Sequence, residues 1–167
     1  MKERPIILGP DAVRLFLNGT KTHYRMPVDR DMRIDHLSDI KYFLDGVTDS
    51  YGRYFRYPFG TVGDRVWVRE PFRIETIKYK ADGDTTAPHY AIGGWLGPVN
   101  MPRWASRLTM DIRGVWIEAL QDMTEADMAA EGSDLFDFPA YWNRKVTDKS
   151  NCYGHNPYVW GYELEIV

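Results

Sequence analysis

The stretch "NGTKTHYR" sets Lys21, Thr22, His23, Tyr24 and Arg25 directly after an apolar run that reads as a helix. A lysine drawn out of water has its pKa lowered and can act as a general base, and a nearby carboxylate orients it and raises the pKa again. An arginine beside it can pair with phosphate. The ordinary alternative for Lys21 is a cation just beyond a helix C-terminus, favoured by the macrodipole. A second group is "MPRWASR", where Arg103, Trp104 and Arg107 combine the cation and ring types that suit phosphate pairing and base stacking. Core packing accounts for Trp104 equally well. Arg69 and Glu70 close a regular strand and are read either as a ligand rim or as an exposed ion pair. Glu131 stands in the last turn of a short helix, where the macrodipole disfavours an anion, so either another group holds it or, as residue type alone favours, it is a solvated surface Glu.

Other chemistries lack their residues. The histidines at 23, 36, 89 and 155 show no metal-ligand spacing, and Cys152 is the single cysteine, so no metal is expected. No phosphate-binding P-loop motif occurs, and no cofactor is predicted. With six tryptophans and eleven tyrosines, most rings must be buried; Tyr141, Trp142 and Trp160 are assigned to the core.

The elements that must carry these residues are legible in part. "PIIL" suits a strand. "PDAVRLFLNG" suits a helix with Pro10 in its first turn, Val13, Phe16 and Leu17 on one face, and Gly19 free to take the left-handed position past its end. Residues 22 to 28 can run extended, and 29 to 62 read as a long irregular loop. "VGDRVWVREPF" alternates cleanly as a strand, "FRIETIKY" reads as a further strand, and 80 to 100, rich in Gly and Pro, as a second long loop. "RLTMDIRGVWIEAL" reads as one long strand with a bulge or break at Gly114. "MTEADMAAEG" reads as a short helix with Thr124 as N-cap, Asp127 completing a capping box and Gly132 ending it; "NPYVWGYELEIV" closes the chain as a strand. The pattern predicts an α+β fold, a mixed sheet closed into a small barrel, flanked by two or more helices and carrying two long loop insertions.

The chain has 167 residues, 44% of them hydrophobic, enough for one globular domain spanning 1 to 167. Its net charge of -3 excludes the broad positive field that drives sequence-independent binding of long nucleic acid. Pro5, Asp11 and Arg14 interrupt the N-terminal apolar run, so neither a signal sequence nor a membrane span is expected; with one cysteine, a cytoplasmic location is expected.

In this order, "NGTKTHYR", "VGDRVWVRE", "MPRWASRLTMDIRGV", "LQDMTEADMAAEG" and "NPYVWGYELEIV" resemble the ASCH family of the PUA-like superfamily, in particular its tailed-phage and prophage members. The resemblance implies a small PUA-like β-barrel with a cleft between barrel and helices that holds a nucleobase, nucleoside or RNA segment. One branch consists of amidohydrolases that remove an acyl group from the exocyclic amine of cytidine, with a Lys and Thr in a K-T-x-T-x-R motif and a Glu late in the second helix. Lys21 matches that Lys and Glu131 that Glu. The second hydroxyl falls at Tyr24 and the closing Arg at Met26, with Arg25 one residue earlier. A phenol carries its oxygen several ångströms further out than a threonine.

The resemblance points to catalytic-type residues Lys21, Tyr24 and Glu131, with Thr22 and Arg25 beside them; residue chemistry adds Arg69, Glu70, Arg103, Trp104 and Arg107 as candidate ligand-binding residues. The preferred expectation is a nucleobase-, nucleoside- or RNA-binding protein. The alternatives are an acylcytidine amidohydrolase, with Lys21 as base, Glu131 orienting it and Thr22 or Tyr24 in place of the threonine, and a protein-interaction module without a nucleic-acid ligand.

Overall fold

The computed structural model describes residues 1–73, 78–83, 95–133 and 137–167. In chain order the strands are β1 (Glu3–Ile7), β2 (His23–Pro27), β3 (Lys41–Tyr42), β4 (Gly46–Thr48), β5 (Tyr54–Arg56), β6 (Arg65–Arg69), β7 (Phe72–Arg73), β8 (Lys78–Tyr79), β9 (Thr109–Ala119) and β10 (Tyr158–Ile166). The helices are α1 (Pro10–Leu17), α2 (Glu125–Ala130) and α3 (Phe138–Lys145). The protein is α+β, and none of its described helices is long and apolar enough to cross a membrane.

The main sheet has the order β1-β6-β9-β10-β2. β1 runs parallel to β6, with Ile6 beside Val68, and every other neighbour pair is antiparallel. Its edge strands β1 and β2 make no ladder with each other, so the sheet does not close by main-chain pairing among the described residues. In the β9–β10 ladder Glu163 faces Gly114 but Leu164 faces Ile112, leaving Arg113 as the extra residue of a bulge. The bulge moves the inward side chains of β9 from Met110 and Ile112 to Ile117, an even-to-odd switch that bends the strand beside the expected glycine. Gly161 of β10 is required for a different reason: a Cβ there would stand 2.3 Å from Cε2 of Trp116, whose ring lies across it.

One core gathers Ile6, Val66, Val68, Met110, Ile112, Trp160, Tyr162 and Leu164 of the sheet against Val13 and Phe16 of α1. A second, formed by Leu120, Met128, Phe138, Trp142 and Val159, packs α2 and α3 against the far end of β10. Trp142 and Trp160 are core residues as expected.

Three expectations are corrected. Residues 29 to 62 are not an irregular loop: β3, β4 and β5 form an antiparallel sheet of their own, and Met32, Ile40, Val47 and Tyr57 join the main core. Strands of two or three residues are too short to display alternation. "FRIETIKY" is not one strand either, because Phe72 pairs antiparallel with Tyr79 and Arg73 with Lys78; residues 74–77 lie outside the described part. Finally, α3 falls on a segment that the sequence pattern leaves without an element, although two or more helices are expected in all. Much of the second loop, residues 84–94 including His89, also lies outside the described part.

Candidate functional site

α1 ends where the sequence says it should. Asn18 is its C-cap, and Gly19 follows in the left-handed region at φ 76°. The Lys21 N–H then donates back to the Leu15 carbonyl at 2.9 Å, and the Thr22 N–H donates to the Ala130 carbonyl at 2.8 Å, stitching the turn to the end of α2. α2 starts on the expected capping box of Thr124 and Asp127. It stops in a Schellman arrangement, with the Ser133 N–H on the Met128 carbonyl and Gly132 at φ 84°. Two helix C-termini therefore converge, and Lys21 from one meets Glu131 from the other across 110 sequence positions.

Both side chains are fully buried, at 0% exposure each. The Lys21 ammonium donates to the Glu131 carboxylate Oε2, to the Glu131 main-chain carbonyl at 2.7 Å, and to the Tyr141 hydroxyl at 3.4 Å. This is the group that holds an anion at a helix C-terminus: the ammonium neutralises the carboxylate and satisfies a terminal carbonyl as well. Burial, reinforced by the charges of Lys145 and Arg25, pushes the Lys21 amine well below the usual lysine range, while the carboxylate in contact with it pulls the other way. Three acceptors for three N–H bonds favour the ammonium.

A second lysine reaches the same carboxylate. Lys145 Nζ, at the end of α3, lies 3.7 Å from Glu131 Oε1, donates to the Arg25 carbonyl, and sits 4.1 Å from the centroid of the Tyr24 ring. Its side chain is 21% exposed. Burial, and then the Arg25 charge, brings its pKa down to about 7. Burial likewise pushes both phenols, Tyr24 and Tyr141, up to about 12, so each is a neutral O–H at physiological pH. One oxygen of the pair, Glu131 Oε1, has no hydrogen-bond partner.

These groups stand beside a cleft of about 540 Å³ between the β1–α1 turn and α3, whose walls include Leu8, Leu15, Tyr24, Tyr141, Arg144 and Lys145. An adjoining cleft of about 400 Å³ shares Gly132, Tyr141 and Arg144, and a smaller one of about 190 Å³ on the other side shares Tyr24 and Lys145. Lys21 and Glu131 form no part of the lining of any of these three clefts; they lie behind Tyr141 and Lys145.

Arg25 points away from this cluster. Its guanidinium is fully buried, donating to Glu118 at 2.7 Å and to Asp127 at 3.2 Å, 5.4 Å from the centre of the Trp116 ring. Thr22 has an exposed side chain, and its carbonyl accepts from Leu164. The other expected binding residues lie around β6, outside the 540 Å³ cleft. Glu70 is buried and takes both arms of Arg107, at 2.9 and 3.2 Å, and Arg107 also reaches Asp82 and stacks 4.0 Å over Tyr79. Arg69 lies 4.7 Å over Trp67, and Arg103 pairs with Glu3 at 3.0 Å. Trp104 is 68% exposed, which removes it from the core.

Sequence reasoning missed Lys145 and Arg144 and assigned Tyr141 to the core. A signal existed: in "DFPAYWNRK" a proline opens the first turn, Phe138 and Trp142 are one turn apart on the buried face, and Tyr141 and Lys145 share the next face. Among the described residues no group of His, Cys, Asp or Glu could hold a metal ion. Comparison with protein-family models, with curated proteins and with solved structures gives no match.

Proposed function

We propose that the protein is an ASCH-like member of the PUA-like superfamily that binds a nucleobase or nucleoside, free or at an unpaired position of RNA. In this reading the five-stranded sheet supplies the greater part of a PUA-like barrel, and the cleft between it and the helices holds the ligand. The observation that carries it is the convergence of Tyr24, Tyr141 and Lys145 on one cleft backed by the buried Lys21–Glu131 pair. Two phenol rings offer stacking or edge contacts to a flat heterocycle, and their hydroxyls and the amine offer hydrogen bonds to its polar rim. A volume of about 540 Å³ fits one nucleoside rather than a duplex.

The test is a panel of nucleobases, nucleosides including N-acylated cytidine, and short single strands, followed by isothermal titration against the wild type and Tyr141→Ala. Saturable binding of a nucleoside that the variant loses is expected. No binding by any member of the panel would refute the reading.

Acylcytidine hydrolysis is the second reading, favoured by one observation: Lys145 combines a near-neutral amine with a place in the cleft wall. Lys21, with three N–H bonds to three acceptors and no access to the cleft, is poorly arranged to be the base.

A further inference from the structure

One carboxylate serves two lysines at the back of the cleft. Glu131 gives one oxygen and its main-chain carbonyl to Lys21 and lies 3.7 Å from Lys145, beyond hydrogen-bond range. Lys145 is thus the less compensated cation, its one hydrogen-bond partner among the described residues being the neutral carbonyl of Arg25. Its sequence neighbour Arg144 is exposed, lines both the 540 Å³ cleft and the adjoining one, and makes no ion pair with a described residue. The acid on the opposite wall, Asp11, is already paired with Arg14. A guanidinium with no ion pair to a described residue, an amine that shares its carboxylate with Lys21, and two phenol hydroxyls thus line one cavity, a set rich in donors.

We propose that this end of α3 is an anion site: Arg144 and Lys145 take the phosphate of a nucleoside monophosphate whose base lies against Tyr24 and Tyr141. The inference rests on the nucleobase reading above and adds the ligand's charge to it. Arg144 can pair two phosphate oxygens in the bidentate manner of a guanidinium, and Lys145 contributes a point charge beneath them.

Proton linkage follows from the groups facing Lys145. These are Lys21 and Arg25, which disfavour its charge, Glu131, which favours it, Tyr24 and Tyr141, which are neutral, Arg144 and Asp11 on the walls, and Asp148, paired with Arg30, across the smaller cleft. A dianion set against Lys145 tips this balance toward the ammonium. Binding at a pH above about 7 therefore takes up a proton.

The experiment is isothermal titration of the intact protein, at about pH 8, with each of the four ribonucleoside 5′-monophosphates, the matching nucleosides and inorganic phosphate. It is run in two buffers of different ionisation enthalpy. At least one monophosphate should bind about tenfold or more tightly than its nucleoside, as expected of charge-assisted hydrogen bonds. That binding should take up a fraction of a proton. Arg144→Gln should erase most of the preference while leaving nucleoside binding in place, and Lys145→Gln should erase both the preference and the proton uptake. Equal affinity for nucleoside and monophosphate overturns the anion site and leaves the nucleobase reading intact. Inorganic phosphate binding as tightly as the nucleotides, dependent on Arg144, supports the anion site and removes the nucleobase reading. No binding of any phosphate-bearing probe overturns the proposal.

Discussion

Replacing Glu131 with Gln keeps the volume of the side chain but removes the one carboxylate that contacts Lys21 and lies 3.7 Å from Lys145. The Lys21 side chain, at 0% exposure, has no water to turn to, so only two responses are open. If the ammonium stays charged, breaking a buried pair from one side costs about 3–5 kcal/mol. If it loses its proton, the folded chain must hold neutral an amine that in the unfolded chain titrates near 10.4. At pH 7.5 that costs about 4 kcal/mol, at ~1.36 kcal/mol per unit. The cheaper route caps the loss, so Glu131→Gln should lower stability by about 3–4 kcal/mol, or roughly 6–16 °C in Tm for a chain of this size. The pH dependence identifies the route. With Lys21 neutral in the folded variant, the unfolded chain binds the extra proton, so stability climbs as pH rises toward about 10 and the deficit shrinks. Urea unfolding at about pH 7.5 and 9.5 reads both quantities. Adding Lys21→Met should recover most of the loss, since an apolar replacement of a buried pair is often nearly neutral. A Glu131→Gln variant within about 1 kcal/mol of the wild type, or a double variant no more stable than it, would refute the burial argument.

Four further outcomes are expected. Because the pKa of Lys145 is lowered to about 7, the unfolded chain binds more protons than the folded one from there up to the ordinary lysine range, and wild-type stability should gain with pH across that window; Lys145→Met should flatten this gain in urea titrations at spaced pH, and an unchanged slope would contradict it. Gly161→Ala places a Cβ 2.3 Å from the Trp116 ring and should cost at least about 1–3 kcal/mol by thermal or urea unfolding. Affinity for a short single-stranded oligonucleotide should fall only shallowly with salt; a slope corresponding to about 6–10 phosphate contacts would show that an extended backbone track, not the cleft, carries binding. If the protein hydrolyses N-acylated cytidine, chromatography should detect free cytidine, with Lys145→Met losing turnover; no release by wild type or Tyr24→Thr at enzyme concentrations near those of substrate would end the hydrolytic reading.

What could be read from the sequence was what is encoded locally. α1 with its glycine stop, the capping box of α2, the alternation of β6 and the bulge beside Gly114 each declare themselves within about ten residues, because caps, left-handed glycines and two-residue periodicity are properties of short windows. The β3–β5 sheet hid because its strands are two or three residues long. The juxtaposition of Lys21 with Glu131 could be anticipated only through a family resemblance. In physical terms it depends on the Thr22 to Ala130 hydrogen bond, a contact between segments more than a hundred positions apart. Lys145 was hidden more thoroughly: in "NRK" it reads as a solvated helix end, and its burial comes from α3 docking its Trp142 face into the second core.

The tyrosine at position 24, the main departure from the resembled motif, acquires a reason once Lys145 is placed. A partly buried amine that shares its carboxylate with another lysine needs some other stabilisation, and the face of an aromatic ring 4.1 Å from its nitrogen supplies one. A threonine at 24 would offer a hydroxyl but no ring, and would leave more of the wall open to water. Tyr24 and Lys145 therefore belong together: the ring lies against the amine and covers one side of it. Charge bookkeeping leads to the same assignment of roles. Glu131 is committed to Lys21 because that contact also satisfies a terminal carbonyl of α2, a gain Lys145 cannot offer from α3. The buried pair thus joins two helix ends behind the cleft, and in the proposed site the groups left to meet a ligand are Lys145, Arg144, Tyr24 and Tyr141.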